Sequence, residues 1–202
     1  MNNISEKFRA YWNAFAPLSC LCSPRPDAVT GLRKWWWLAA LRKTGALVDP
    51  SVDLRCRARP NERILLRPGV ALDRGVILWI ADECGGEGRI TIGERAYVGP
   101  YSFLGSCHRL EIGNDTLIGA GSYIITVNHR TDDLSSPFAS QGYRGGDVVI
   151  GANVWLGAHV VVLPGVSIGD NAIVGAGAVV TKNVPAGARW AGVPAKPLDL
   201  RS

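Results

Sequence analysis

A chain of 202 residues, 47% of them hydrophobic and 24 of them glycine, is long enough for one folded domain and too apolar for a disordered polymer. Its formal net charge of +5 at pH 7 suits a polyanionic ligand, but no block of basic and aromatic residues marks a nucleic-acid surface. Composition therefore predicts a compact, turn-rich domain with an appendage and argues against nucleic acid as a partner.

The expected cellular location is predicted from two features: a membrane-spanning segment and a signal peptide, neither of which the sequence pattern indicates. No apolar run reaches the roughly 20 residues that span a bilayer, and the opening residues MNNISEKFRAYW do not have the order of a signal peptide. The cysteines are odd in number and show no zinc-finger spacing, at Cys20, Cys22, Cys56, Cys84 and Cys107. We therefore expect a cytoplasmic protein with reduced thiols.

Residues 1–48 are predicted to form an N-terminal helical cap. Apolar residues from Ile4 to Phe15 recur three or four positions apart, as on one side of a short helix. A second helix is predicted from near Asp27, with Thr30 as an alternative start, to a stop at Gly45.

The segment LRKWWWLAALRK, residues 32–43, has two interpretations. Tryptophans flanked by cations are typical of a helix in peripheral contact with a membrane, which would hold the protein at the inner face of that membrane. The favoured alternative is a helix that covers the open end of the domain or a neighbouring subunit.

Residues 49–197 are organised by a repeat of six residues. Bulky apolar residues occupy every sixth position, at Ile150, Leu156, Val162, Ile168, Val174 and Val180. Strands and helices have periods of about 2 and about 3.6, so this period instead indicates a coil of short strands and turns. The repeat begins at Val52, is interrupted at residues 82–88 and near His108, and gives way to an excursion loop at residues 130–147. Residues 198–202 are a short tail.

The segment VWLGAHVVVLPGVSIGDNAIVGAGAVVTKNVP, followed by AGVPAK, resembles the hexapeptide-repeat acyltransferases, and the resemblance covers residues 50–197. QGYRGGDVVIGANVWLG is similar to the branch that O-acetylates sugars of polysaccharide or lipopolysaccharide. The resemblance implies an all-β fold, a left-handed parallel β-helix with a short N-terminal helical segment. It also implies a homotrimer that binds acetyl-CoA between subunits, transfers the acetyl group to a carbohydrate acceptor without an acyl-enzyme, and requires no metal.

His129, in IITVNHR, stands immediately before the excursion loop. A histidine at a corner is usually a surface residue, but long excursions from a rigid coil usually serve a site, and the resemblance places the catalytic histidine here. Because imidazole titrates near neutral pH, it can take the proton of an acceptor hydroxyl. We expect His129 to be the general base. Asp132 and Asp133 are close enough in sequence to hold its tautomer and are equally typical of a solvated loop.

The resemblance also implies the residues that bind acetyl-CoA. Trp155 should face outward along the CoA arm or pack at a subunit contact. The backbone N–H of Ala158 is expected to donate to the thioester carbonyl. The other expected contacts are Ala176 beside the pantetheine arm and Thr181, Lys182 and Lys196 toward the phosphates. Each lysine has the alternative of a solvated surface residue.

Five residues are expected to contact the acceptor: Tyr101, His108, Asn128, Gln141 and Tyr143. Asn128 has a second interpretation as a turn residue, and His108 and His159 as surface histidines. Free galactosides and maltose are not expected as acceptors, because VGPYSFLGSCHR replaces the acceptor segment of those relatives.

Three rival functions remain open. A γ-class carbonic anhydrase uses three histidines around zinc, and the three histidines of this chain lack the close pair of that class. A non-catalytic scaffold on the same coil would have no affinity for CoA. N-acetylation of an amino sugar is the nearest competitor, because an amine can use the same coil and cofactor.

Overall fold

The computed structural model describes residues 31–56, 60–81 and 88–198. These residues include most of the second predicted helix and nearly all of the six-residue repeat. The helix predicted between Ile4 and Phe15 lies outside them, as do the predicted helix start near Asp27 and most of the interruption at residues 82–88.

Two helices accompany the coil in the described part of the chain. Helix α1, Gly31–Arg42, ends in a turn at Gly45, whose φ of +85° is one that side chains rarely adopt. Leu38 and Leu41 on its inner side are buried in the main core. Helix α2, Pro60–Arg63, is a single turn. Neither of these described helices has the length and hydropathy needed to cross a bilayer.

Three sheets form the sides of a prism, with strands numbered in chain order. Sheet I contains β1 Leu47–Val48, β4 Ala71–Leu72, β7 Tyr97–Val98, β10 Leu117–Ile118, β15 Trp155–Leu156, β18 Ile173–Val174, β20 Arg189–Ala191 and β21 Lys196–Pro197. Sheet II contains β2 Asp53–Arg55, β5 Ile77–Ile80, β8 Phe103–Ser106, β11 Tyr123–Ile125, β16 Val161–Val162 and β19 Val179–Val180. Sheet III contains β3 Ile64–Leu66, β6 Arg89–Ile92, β9 Arg109–Ile112, β14 Val148–Ile150 and β17 Ser167–Ile168.

The chain passes from sheet I to sheet II to sheet III in each coil, so that β1 pairs in parallel with β4 and β4 with β7. We name the three corners of the prism edge I–II, edge II–III and edge III–I. Four residues separate consecutive strands at edges I–II and III–I. Edge II–III is irregular and ranges from two residues between β8 and β9 to residues 126–147 between β11 and β14. The excursion loop leaves the coil at this edge.

The predicted six-residue period is confirmed by burial. All six members of the repeat from Ile150 to Val180 lie at 2% exposure or less inside the prism. The intervening small residues, such as Val154 and Ala172, are buried as well. Because each inward residue stacks on its counterpart in the next coil, the core is one continuous column.

The coil begins before its predicted N-terminal limit, and at its other end the described strands reach the predicted limit at residue 197. Strand β1 pairs with β4, which places a coil strand two residues before the predicted boundary at residue 49. Strand β20 continues sheet I, and β21 then turns back antiparallel to it. Residues 189–197 are therefore part of sheet I, within the predicted coil domain.

Candidate functional site

His129 is held by a hairpin at edge II–III. Strand β12, Val127–His129, pairs antiparallel with β13, Tyr143–Gly145, so that His129 lies opposite Tyr143 and Asn128 opposite Arg144. The hairpin joins the two ends of the excursion loop, which contains one turn of 3-10 helix at Phe138–Ser140. The sequence predicted the loop, and the pairing that closes it brings three predicted site residues together.

The imidazole of His129 is half-buried, with its ring centroid 4.7 Å from that of Tyr143. Its Nδ1 is buried and has no hydrogen-bond partner among the described residues, which leaves Nε2 as the nitrogen toward the surface. A neutral ring that accepts a proton at Nε2 carries its hydrogen on Nδ1. Because no described group hydrogen-bonds to Nδ1, the ring is positioned by its packing against Tyr143 and by the backbone pairing of the hairpin.

Neither nearby carboxylate orients His129. Oδ2 of Asp132 accepts hydrogen bonds from Arg130 Nε and Arg144 Nη2, each at 3.0 Å. Asp133 accepts bonds from the hydroxyls of Ser135 and Ser136, which lower the pKa of its carboxyl. Of the two interpretations of these acids, the structure supports the loop-stabilising one.

Gln141 holds the excursion loop together. Its Oε1 accepts the N–H of Asp133, and its Nε2 donates to the carbonyls of Asp133 and Ser136. Both ends of the amide are thus engaged within the loop. The predicted contact of Gln141 with an acceptor stays a prediction, while its bonds to the loop backbone are direct.

Thr126 anchors the base of the hairpin, and it was not among the predicted site residues. Its buried Oγ1 accepts the N–H groups of Cys107 and His108 at 2.8 and 3.0 Å. The ring of His108 lies against Gly145, where an added Cβ would be 2.5 Å from its Cδ2. His108 therefore lies beside the hairpin, close in the fold to Tyr143. The sequence signal that could have identified Thr126 is a hydroxyl residue at an otherwise apolar turn of the coil.

A second group of predicted residues lies at edge I–II. The N–H of Ala158 donates to no described residue, whereas the N–H of the adjacent His159 bonds to the coil below. Ala158 and Ala176 occupy the same position in consecutive coils of this edge. The coils approach closely there, since a Cβ on Gly157 would meet the backbone N of Ala176 at 2.5 Å. Tyr101 stands on the same edge, 68% exposed.

Trp155 lies on the outer face of sheet I, three residues before Ala158. It is 55% exposed and faces outward as predicted, in register between Leu117 and Ile173. The indole ring thus forms an exposed apolar surface, and the free N–H of Ala158 follows three residues later at edge I–II.

The remaining predicted residues lie elsewhere. Thr181 and Lys182 follow β19 and are exposed at edge II–III, two coils beyond His129. Lys196 is exposed in β21 at the end of sheet I. One chain therefore brings His129, Asn128, Tyr143 and His108 together, but it keeps them apart from Trp155, Ala158, Ala176 and Tyr101. The roles of all these residues stay predictions.

The three histidines do not form a metal centre within the described part of the chain. His108 and His129 lie at edge II–III, whereas His159 covers Gly121 at edge I–II. No three histidine, cysteine or acidic side chains in residues 31–56, 60–81 and 88–198 lie close enough to hold one ion.

The repeat identifies the class of the protein. Residues 147–182 match the family model described as bacterial transferase hexapeptide (six repeats). WcaF of Escherichia coli, assigned as a colanic acid biosynthesis acetyltransferase, is 33% identical over 161 residues, which cover 79% of this chain and 82% of WcaF. The chain belongs to the hexapeptide-repeat acyltransferases. Its fold is accordingly the left-handed parallel β-helix, as predicted.

Two further relatives match a smaller share of their own length. WbbJ of Escherichia coli, assigned as a lipopolysaccharide biosynthesis O-acetyl transferase, is 40% identical over 118 residues, 55% of this chain and 60% of WbbJ. A solved galactoside acetyltransferase in complex with coenzyme A is similar with a TM-score of 0.51 and 28% identity, over 67% of this chain and 63% of that chain. This chain thus spans less than two thirds of the length of both.

Proposed function

We propose that the protein transfers the acetyl group of acetyl-CoA to a hydroxyl of a carbohydrate, as a step in the synthesis of a bacterial surface glycan. The names of WcaF and WbbJ support the class of acceptor, and the coenzyme A in the similar solved structure supports the donor. The observation that carries the proposal is the hairpin that presents His129 at edge II–III, with Nε2 toward the surface.

In this reaction acetyl-CoA supplies the acetyl group as a thioester. The acceptor oxygen forms a bond to the acetyl carbon while its proton passes to Nε2 of His129. The carbon–sulfur bond breaks, and the departing thiolate takes up a proton. The free N–H of Ala158 is suited to donate to the carbonyl oxygen as negative charge develops there.

The separation of the two residue groups supports a site shared between copies of the chain. Sheet II lies between edges I–II and II–III, and its outer face carries an apolar row in strict register, at Ile77, Phe103, Tyr123, Val161 and Val179. Phe103 and Tyr123 stack at 4.8 Å. If this face packs against other copies around a threefold axis, edge II–III of one copy meets edge I–II of the next. His129 then approaches Ala158 and Trp155 of its neighbour.

The same packing would bring together, from two copies, residues that are predicted to bind acetyl-CoA. Trp155, Ala158 and Ala176 offer an apolar surface on one copy, and the edge is open beside Ala176, since a Cβ added at Gly177 would meet nothing within 4 Å. Thr181 and Lys182 lie on edge II–III, so the neighbouring copy supplies a hydroxyl and an ammonium for phosphate groups.

The first experiment measures acetyl-CoA binding by calorimetry together with turnover on carbohydrate acceptors. We expect the wild-type protein to bind acetyl-CoA, and His129→Ala to retain binding while losing turnover by about a hundredfold or more. Leu134→Ala, at an exposed loop residue, is the control and should resemble wild type. Unchanged turnover in His129→Ala would remove that residue from the mechanism, and no binding by wild type would favour the scaffold. Acceptors that differ only by a hydroxyl or an amine distinguish O- from N-acetylation.

Hybrid oligomers test the shared site. His129→Ala and Trp155→Ala chains, each impaired alone, are mixed through unfolding and refolding in equal amounts. A shared site predicts that about a quarter of the sites regain both wild-type residues, with a matching return of activity. Mixtures no more active than the separate variants would place the whole site in one chain.

A further inference from the structure

Helix α1 has a buried inner side, which packs on the coil, and an exposed outer side. Its inner side carries Leu38 and Leu41, both 3% exposed in the core. Its outer side carries Leu32, Trp35 and Trp36, exposed by 82%, 72% and 75%. These three residues are spaced by three and four positions, so they share one face, opposite to the buried one.

The charge of this helix is of one sign. Residues 31–45 contain Arg33, Lys34, Arg42 and Lys43 and no acidic residue. Lys43 is exposed and follows Trp36 by seven positions, which places it at the end of the face that carries the tryptophans. The outer face thus combines large amphipathic rings with the exposed ammonium of Lys43, whereas the guanidinium of Arg42 donates to the carbonyl of Val48.

We propose that this face, formed by Leu32, Trp35, Trp36 and Lys43, docks on the surface of an anionic lipid bilayer. Indole rings favour the layer between headgroups and acyl chains, and lysine and arginine complement anionic headgroups. The helix is too short and too polar to span, so it would lie in the plane of the surface. Because the opposite side packs into the first coil, the face points away from the coil and can meet a flat surface.

Membrane docking is independent of acetyl transfer. The two activities use separate parts of the molecule, helix α1 on the one hand and edges I–II and II–III on the other, so either can fail alone. A docked protein would carry its site at a fixed height above the lipid, where a lipid-linked acceptor would be reached without diffusion through the cytosol.

The test uses the full chain in flotation with two kinds of vesicle, phosphatidylcholine alone and phosphatidylcholine mixed with phosphatidylglycerol. We expect the wild-type protein to float with the anionic vesicles at least about tenfold more than with the neutral ones. Trp35→Ser/Trp36→Ser should lose at least about tenfold of that binding, and Lys43→Glu a smaller part. Leu134→Ser/Phe138→Ser, which removes two exposed apolar residues from the excursion loop, is the matched control and should float as wild type.

Melting temperature and mass in solution complete the experiment. Because both tryptophans are exposed, the double variant should melt with the wild type, and its loss of flotation then reports the face itself. No flotation of wild type with anionic vesicles, or equal flotation of the double variant, would overturn the proposal. A smaller oligomer in the double variant would also overturn it, since the face would then join copies of the chain.

Discussion

Edges II–III and III–I of the prism are made by the same chain in opposite ways. At edge III–I each turn has four residues, and a left-handed residue such as Arg95, Asp115 or Asn153 closes it in coil after coil. At edge II–III the connections range from residues 107–108 to residues 126–147, and the longest places His129, Tyr143 and their hydrogen-bonded loop outside the coil. The regular edge supplies rigidity, while the irregular edge supplies side chains with chemistry. Substitutions at the first should therefore disturb the whole coil, and substitutions at the second should disturb one loop.

The largest effect is expected at the regular edge. A Cβ on Gly113 would lie 2.5 Å from the backbone N of Ala152, an atom that cannot move without shifting the next coil. Gly113→Ala should lower the free energy of unfolding by about 3 kcal/mol. At edge II–III a Cβ on Gly146 meets nothing closer than 3.2 Å, so Gly146→Ala should cost less than about 1 kcal/mol. Denaturant unfolding at one protein concentration compares them, and equal losses would contradict the contrast between the edges.

A smaller effect is expected at the base of the hairpin. Thr126→Val keeps the shape of the side chain but leaves the N–H groups of Cys107 and His108 without their acceptor. We expect a loss of about 2 kcal/mol in the free energy of unfolding, together with lower acetyl transfer, because His129 loses its support. Thr126→Ser retains the oxygen and should stay near wild type. If both variants lose activity equally, the methyl group rather than the hydrogen bond supports the hairpin.

Within the excursion loop the effect should be local. Gln141→Leu removes the acceptor of the Asp133 N–H and two further bonds to the loop backbone. The loop amides should exchange with solvent about fivefold faster, while the coil amides keep their protection. Hydrogen exchange read by mass spectrometry separates the segments. Faster exchange throughout the coil would mean that the loop and the coil unfold as one unit.

The smallest effect concerns the outer face of sheet II, which lies between edges I–II and II–III. Burial raises the pKa of Tyr123, because a phenolate is poorly solvated beside Phe103. Folding then favours the protonated phenol, so stability is retained below the ordinary pKa of about 10 and is lost as pH rises through the raised pKa. Tyr123→Phe should weaken this loss of stability at alkaline pH. The measurement is the free energy of unfolding of both proteins at increasing pH.

A second tyrosine provides the control. The pKa of Tyr97 is raised first by its hydrogen bond to Asp73, so Asp73→Asn should lower it without changing the titration of Tyr123. If Asp73→Asn shifts both phenols in the absorbance titration, the cause assigned to Tyr123 is wrong.

The sequence was sufficient for the regular parts of the fold. A six-residue period specifies which side of each strand faces inward, so the buried column from Ile150 to Val180 and the outward Trp155 were predictable. The excursion was predictable as well, since the period stops after His129. These features depend on local pattern alone.

The hairpin and its support depend on pairings between distant residues, which the period does not encode. The antiparallel register of His129 with Tyr143 spans the whole excursion loop. The inward hydroxyls were missed for a different reason: Ser102, Thr116 and Thr126 resemble surface residues in the sequence. In the fold they bond to backbone groups of adjacent coils, which satisfies a buried hydroxyl. The proposed gathering of both residue groups at one site involves a second copy of the chain, which the family resemblance implies and the six-residue period does not encode.

Strand β21 also determines how the coil ends. A stack of parallel strands leaves its last strand with unpaired backbone groups, which can recruit another molecule and start a fibre. Here sheet I ends on an antiparallel strand of only two residues, Lys196 and Pro197, a charged residue and one that has no N–H to offer. The last strand of this sheet is thus a poor template for end-to-end growth.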